Sequence, residues 1–319
     1  MEKVSIGKTK SEYIRVVFPE HANSIGSLYG GYMMRWILDA GTLLATKFTK
    51  GPCVIGSMDS IDFIKPVKIG DILLFESFVE YVGNTSIEIG VNVFSGRYDK
   101  EELACISNLS FVALDSEGNK RIIDRKVYPE NEEEEKIYKM AIERRERRKK
   151  RILEFKKNPP EFSTLETKWS ITAHRVIFPE DTLFLKRAYG GKVLMVMDEL
   201  AAILARKYAK GICVTASVDE MDFLAPAYIG EILNMEAYIT SVFNTSLEIL
   251  VKVFAENPEK GEFRHVVSSY MVFVHLDEKG NLKKLPEYEI QKILEGAILR
   301  KKIRDERRKK IKEIQIKKE

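Results

Sequence analysis

The chain is written twice. At an offset of 160 residues, Phe18-Pro19-Glu20 returns as Phe178-Pro179-Glu180, Tyr29-Gly30-Gly31 as Tyr189-Gly190-Gly191, and Cys53-Val54 as Cys213-Val214. "MDSIDFIKP" (Met58 to Pro66) returns as "VDEMDFLAP" (Val218 to Pro226), Gly70-Asp71 as Gly230-Glu231, and "NTSIEI" (Asn84 to Ile89) as "NTSLEI" (Asn244 to Ile249). Two copies are too few for a solenoid, whose stacked units need at least three. A duplicated domain whose copies pair as a pseudo-dimer is the expected architecture. A length of 319 residues suits two domains, and 45% hydrophobic residues suffice for a core in each.

Each copy carries the same signals in the same order. A loop runs through Gly-Gly into "YMMRWILDAGTLLATKF" or "KVLMVMDELAAILARKY". Both segments are apolar on nearly every side, which predicts a buried helix rather than a surface one. Lys-Gly follows each, a usual C-terminal signal. Then come β-branched or alternating runs, "CVIGSMDSIDF", "DILLFESFVEYVG", "TSIEIGVNVFS" and "LACISNLSFVALD" in the first copy, punctuated by Gly, Asn and Pro. One buried helix followed by consecutive antiparallel strands predicts an α+β domain with a sheet wrapped round a helix. A charged stretch follows each copy, beginning Pro-Glu and ending in bases, as helices do. The expected organisation is domain 1 over 1–128, a charged helix and linker over 129–158, domain 2 over 159–285 and a C-terminal charged helix over 286–319. "KNPPE" (Lys157 to Glu161) marks the linker.

The net charge of +4 is too weak for a dedicated nucleic-acid binder. The bases at Arg144 to Arg151 and Arg300 to Lys318 are mixed with acids and read first as solvated faces. No apolar run spans a bilayer, and "MEKVSIGKTK" does not look like a secretory leader. Three cysteines without CxxC spacing predict reduced thiols and a cytoplasmic setting, and four histidines without ligand spacing predict no metal site.

These residues together resemble the hotdog-fold acyl-CoA thioesterases in their tandem form, roughly over Phe18 to Asp115 and Phe178 to Asp277. The pattern is a loop Asn before a glycine pair, a central helix with an acid six residues on, a "VD…DF..P…GD" segment and an Asn-Thr-Ser strand start. The resemblance implies two tandem hotdog domains and hydrolysis of fatty acyl-CoA to free acid and CoA. It implies no cofactor beyond the CoA of the substrate, no nucleic-acid partner, and assembly of tandem chains into a homo-oligomeric trimer. It also implies an active site across the interface, with Asn from one domain and the acid from the other. Here the first copy keeps Asn23 but has Leu38 where the acid belongs. The second has Leu183 in the Asn column but keeps Asp198. The expectation is one whole site, Asn23 with Asp198, and one dead site, Leu183 with Leu38.

Asp39 and Glu199 form an acidic column next door and are the alternative. One helical residue is a rotation of about 100°, which favours Asp198. A carboxylate in so apolar a helix is costly unless paired or functional, and desolvation would make it a better base. Direct attack by Asp198 to give an anhydride stays open. Backbone N–H groups at Gly30 and Gly31 are expected to hold the thioester oxygen, and Asn23 to position water. The strand starts Asn84, Thr85, Ser86 and Asn244, Thr245, Ser246 are candidates for the CoA path through the resemblance alone. His21 faces Asp181 across the repeat, so a catalytic histidine is not expected. The competing readings are a non-catalytic acyl-CoA sensor and a hotdog dehydratase, which needs a His-rich loop that this chain lacks.

Overall fold

The computed structural model describes residues 2–97, 100–157, 169–288 and 296–316. The first copy comprises β1 (Glu2–Ser5), β2 (Ser11–Val16), α1 (Gly30–Thr49), β3 (Cys53–Met58), β4 (Ile61–Asp62), β5 (Ile72–Val82), β6 (Ser86–Arg97), β7 (Lys100–Ala113) and β8 (Arg125–Tyr128). The helix α2 (Glu132–Lys157) follows. The second copy comprises β9 (Ser170–Val176), α3 (Gly190–Ala209), β10 (Ile212–Val218), β11 (Met221–Asp222), β12 (Ile232–Val242), β13 (Ser246–Asn257) and β14 (Glu262–Leu276), followed by α4 (Ala297–Ile316). Beyond Lys157, the linker expected up to Glu161 lies outside the described residues.

Each copy is a hotdog: a six-stranded antiparallel sheet wrapped on a long helix. The strand orders are β11-β3-β7-β6-β5-β2 and β4-β10-β14-β13-β12-β9. The apolar circumference of α1 explains its position, because Met34, Ile37, Leu38 and Ala45 are wholly buried. α3 does the same with Met197, Ala201 and Ala205. Both helices end where expected, but the left-handed residue is Lys50 or Lys210 rather than the glycine after it. The glycines serve close approach instead. A Cβ on Gly51 would lie 2.8 Å from Arg121 Nη2, and one on Gly211 would lie 2.5 Å from His275 Nε2.

The two sheets trade their outermost strands. β4 of the first copy pairs with β10 of the second, and β11 pairs with β3. The exchange continues through Phe63 N–H to Ala216 O at 3.2 Å and Phe223 N–H to Gly56 O at 2.9 Å. With α1 packed on α3, it sets the two copies in one register.

The charged helices are not merely solvated faces. Along β6, Ile87 and Ile89 alternate with Glu88, so the glutamate points away from α1. α2 covers that outer face, with Ala141 buried against it. Arg148 grips Glu88 with two bonds of 3.0 and 2.5 Å, and Arg144 pairs with Glu80. On the second copy α4 repeats the device, with Arg300 and Arg304 on Glu248 and Arg304 also on Asp219. Both helices then reach the exchanged strands. Arg151 of α2 holds Asp222 at 2.6 and 3.0 Å, and Arg307 and Arg308 of α4 hold Asp62. α2 starts at Glu132, later than the Pro-Glu pair suggested. Asn131 caps it, its Oδ1 accepting the Glu134 N–H at 2.9 Å. No helix among the described residues is long and apolar enough to cross a membrane.

Candidate active site

The N-terminus of α1 meets the middle of α3. Gly31 N–H donates to Asp198 Oδ2 at 2.8 Å, a contact between the two copies. The other carboxylate oxygen, Oδ1, accepts the Thr215 hydroxyl at 2.7 Å. Asp198 is 1% exposed. Burial pushes its carboxyl up to about 6, and the charge of Glu199 adds to the rise. The Thr215 hydroxyl and the Gly31 amide pull the other way. Only glycine fits this approach. A Cβ on Gly30 would lie 2.7 Å from Thr215 Cβ and 3.1 Å from Asp198 Oδ1, and one on Gly31 would lie 3.1 Å from the Met195 backbone.

Thr215 was not among the expected residues. It sits where the pairing of β10 with β14 slips between Thr215 and Ser217. Such a bulge re-aims a side chain, here onto the carboxylate. The same slip occurs in β3 between Ile55 and Ser57, so Ile55 is the mirror residue. An Ile/Thr difference in that column was the available signal.

Asn23 lies in the loop that leads into α1. Its Oδ1 accepts the N–H groups of Ile25 and Ser27, both at 3.1 Å. This fixes the amide orientation and leaves Nδ2 as the donor, with no partner among the described residues. No hydrogen bond among them joins Asn23 to Asp198. Gly31 N–H is given to the carboxylate, and among the described residues the Gly30 and Tyr32 N–H groups at the helix start have no hydrogen-bond partner. Asp39 is engaged elsewhere, accepting the Tyr189 hydroxyl at 2.6 Å with Arg35 4.0 Å away. Glu199 lines the cavity beside Asp198, and no hydrogen bond among the described residues joins the two. His21 packs edge-on against Trp36 at 4.8 Å and against Tyr32, a lining residue of the cavity at Asp198, at 4.9 Å.

Cavities flank the carboxylate. One, of about 330 Å³, is lined by Asp198 itself with Val193, Val196, Ile177 and Tyr29. The other, of about 400 Å³, is lined by Gly30 and Thr215 and rimmed by Lys65, Lys68 and Lys279. The mirror position is shut. Leu38 and Ile55 stand where Asp198 and Thr215 do, and a Cβ on Gly190 would lie 2.7 Å from Ile55 and 3.1 Å from Leu38. The cavity there is about 30 Å³, bounded by Leu183 and Arg187. Arg187, in the column of Ser27, is turned away to donate to Gly118 O at 3.0 Å.

The six strand-start residues line neither cavity. Their backbones hold the sheets to the following loops. Asn84 O accepts Ile123 N–H and Asn244 O accepts Leu285 N–H, both at 2.8 Å. Thr85 O and Thr245 O accept from Ala113 and His275, and Ser86 O and Ser246 O from Gly83 and Phe243.

Fold and site together define a fused hotdog pair with one acid-bearing interface site. The thioesterase superfamily profile matches residues 25–100 and 185–262, once in each copy. An uncharacterized acyl-CoA thioester hydrolase of Bacillus subtilis is 39% identical over 137 residues, covering 42% of this chain and 79% of that protein. Acetyl-coenzyme A thioesterase of Mus musculus is 27% identical over 318 residues, 91% of this chain and 56% of that protein. A solved acyl-ACP thioesterase from Bacteroides thetaiotaomicron shares the fold, with a TM-score of 0.52 at 14% identity over 85% of this chain and 100% of that one. The chain belongs to the thioesterase superfamily. It spans about half the length of the first curated relatives that it matches.

Proposed function

We propose that the chain hydrolyses fatty acyl-CoA thioesters at one site, built from Asn23, Gly30 and Gly31 of the first copy and Asp198 and Thr215 of the second. The carrying observation is that Asp198, buried in the middle of α3, is held by both copies, while its mirror is filled by Leu38 and Ile55. Asp198 takes a proton from water as the hydroxide adds to the thioester carbon. The tetrahedral centre then collapses, the C–S bond breaks, and the same proton goes to the CoA sulfur. A carboxyl raised to about 6 is ionised at pH 7 yet more basic than an ordinary aspartate. Thr215 and the Gly31 amide aim it. The Gly30 N–H, at the positive end of α1, and the Asn23 Nδ2 supply donors for the oxyanion or the attacking water. The lysine-rimmed cavity suits the phosphates of CoA.

The reading needs no metal or cofactor, and it places the enzyme in the cytoplasm. It carries the assembly of tandem chains into a trimer, and with Arg144, Arg148, Arg151, Arg300, Arg304, Arg307 and Arg308 paired with acids of the two copies it assigns no nucleic-acid partner. The test is thiol release from an acyl-CoA panel by wild type, Asp198→Asn and Asn23→Ala. Turnover in the first and a loss of at least about 100-fold in the second is expected. Binding without turnover in wild type would favour a sensor.

A further inference from the structure

The repeat supplies its own control for the cavity beside Asp198. Each residue lining it has a mirror in the other copy at the same offset. On the live side the wall is Val196 and Met195 of α3, with Val193, Ile177 and Leu233 behind them. On the dead side the columns of Val196 and Met195 hold Trp36 and Arg35. Trp36 is 3% exposed, clustered with His21 and with Tyr32 at 5.9 Å, and covered by the Arg15 guanidinium at 5.9 Å. Lys192 and its mirror Tyr32 both line the live cavity, as do Arg175 and Asp181, which pair at 2.7 Å. The same backbone frame therefore leaves a cavity where column 36/196 is Val, its apolar side chains joined by Glu20, Arg175, Asp181, Lys192 and Glu199, and carries a buried aromatic cluster where it is Trp.

Resting on the thioesterase reading above, we propose that this cavity receives the acyl chain, that the substrates are acyl groups longer than acetyl, and that Val196 sets the length limit. The carboxylate lies between this cavity and the one rimmed by lysines, so a thioester placed at Asp198 has CoA on one side and its acyl chain on the other. A two-carbon acyl group would leave most of the cavity of about 330 Å³, with its Val193, Met195, Val196 and Leu233 side chains, unused. Each methylene that enters it adds about a fourfold gain in affinity.

The experiment compares wild type with Val196→Trp on acetyl-, butyryl-, hexanoyl-, octanoyl-, lauroyl- and palmitoyl-CoA. It also measures binding of the non-hydrolysable acyl-CoA thioethers of the same lengths. In wild type, kcat/KM climbs about fourfold per methylene until the cavity is full. In Val196→Trp the plateau comes several carbons earlier, and the ratio of lauroyl to butyryl kcat/KM falls at least 100-fold. If the Trp variant does not fold, Val196→Phe gives the same shift at smaller size. An unchanged length profile, a uniform loss at all lengths, or acetyl-CoA as the best wild-type substrate overturns the proposal. If wild type turns over nothing, the thioether series decides separately. Length-dependent binding that Val196→Trp shortens keeps the acyl cavity and discards hydrolysis, and binding independent of length discards both.

Discussion

Asp198→Asn should inactivate the protein and stabilise it. The carboxyl stands near 6 in the folded chain and near 3.9 when unfolded. Its proton is thus held more tightly in the native state. Between about pH 4 and 6 the unfolded carboxyl has lost its proton while the native one still holds it, so stability falls as pH rises. Two units at about 1.4 kcal/mol each put the cost of the buried charge at about 3 kcal/mol above pH 6. Asparagine escapes it. Its carbonyl can accept the Gly31 N–H, and its amide can donate to the Thr215 oxygen, whose hydroxyl turns to accept. Small mismatches in those bonds reduce the gain to about 1–3 kcal/mol at pH 8, a rise of a few degrees in melting temperature. Below pH 4 the aspartate is itself neutral and the gain vanishes. Glu80, raised to about 7, and Asp59, raised to about 6, titrate in the same window, chiefly through burial. They are common to both proteins and cancel in the difference. Thermal melts of both proteins from pH 4 to 8, beside thiol release, make the assay. A difference that does not change with pH, or an Asn variant less stable than wild type at pH 8, refutes the reasoning.

Thr215→Val keeps the shape but removes the hydroxyl that favours the ionised Asp198, so the rising limb of the pH–rate profile should move above 6, with at least about a tenfold loss at pH 6.5. An unmoved limb removes Thr215 from the site. Arg148→Ala strands Glu88, which is 3% exposed, and should cost about 3–5 kcal/mol in urea unfolding, partly restored by adding Glu88→Gln. Asp39→Asn weakens the bond from Tyr189 and should lower stability by about 1–2 kcal/mol, with activity within about threefold of wild type. A 100-fold activity loss there would move the catalytic acid to the 39/199 column.

The repeat made much of this legible, because columns shared by the copies and columns that differ report different things. Asn84-Thr85-Ser86 and Asn244-Thr245-Ser246 are identical, and their backbones make the same sheet-to-loop bonds in both copies. Column 38/198 differs, and there the interface holds a carboxylate once and a leucine once. The same logic applied to column 55/215 points to Thr215, but its aim depends on a bulge that no alternation of side chains announces. The exchanged strands β4 and β11 have two residues each. That is too short for a periodic signal, and pairing with the other copy is what makes them strands. The partners of the basic helices were equally hidden. Arg148 and Glu88 are 60 residues apart, and Arg308 and Asp62 are 246 apart, so the bases of an amphipathic stretch do not reveal which acids they meet.

On the proposed reading, fusion allows one site to be absent without losing the fold. In a dimer of identical chains, a change in column 38 would remove both sites at once. In one chain the columns drift separately, and the energetics push them apart. Leu38 adds apolar burial where an aspartate would carry the desolvation cost worked out above. Ile55 packs against Gly190 and Trp36 fills the mirror cavity. Apolar side chains thus fill the position whose mirror retains a buried carboxyl, and on the proposed reading that carboxyl is kept for function, as functional sites commonly keep destabilising groups. In the proposed site Asp198 is aimed only while the α1 amide remains within hydrogen-bond reach at 2.8 Å. That distance is set by the register of the two sheets, which the exchanged strands fix and which Arg151 on Asp222 and Arg308 on Asp62 clamp from outside. The charged helices therefore act on the site without touching it, by holding the half that carries the amide against the half that carries the acid.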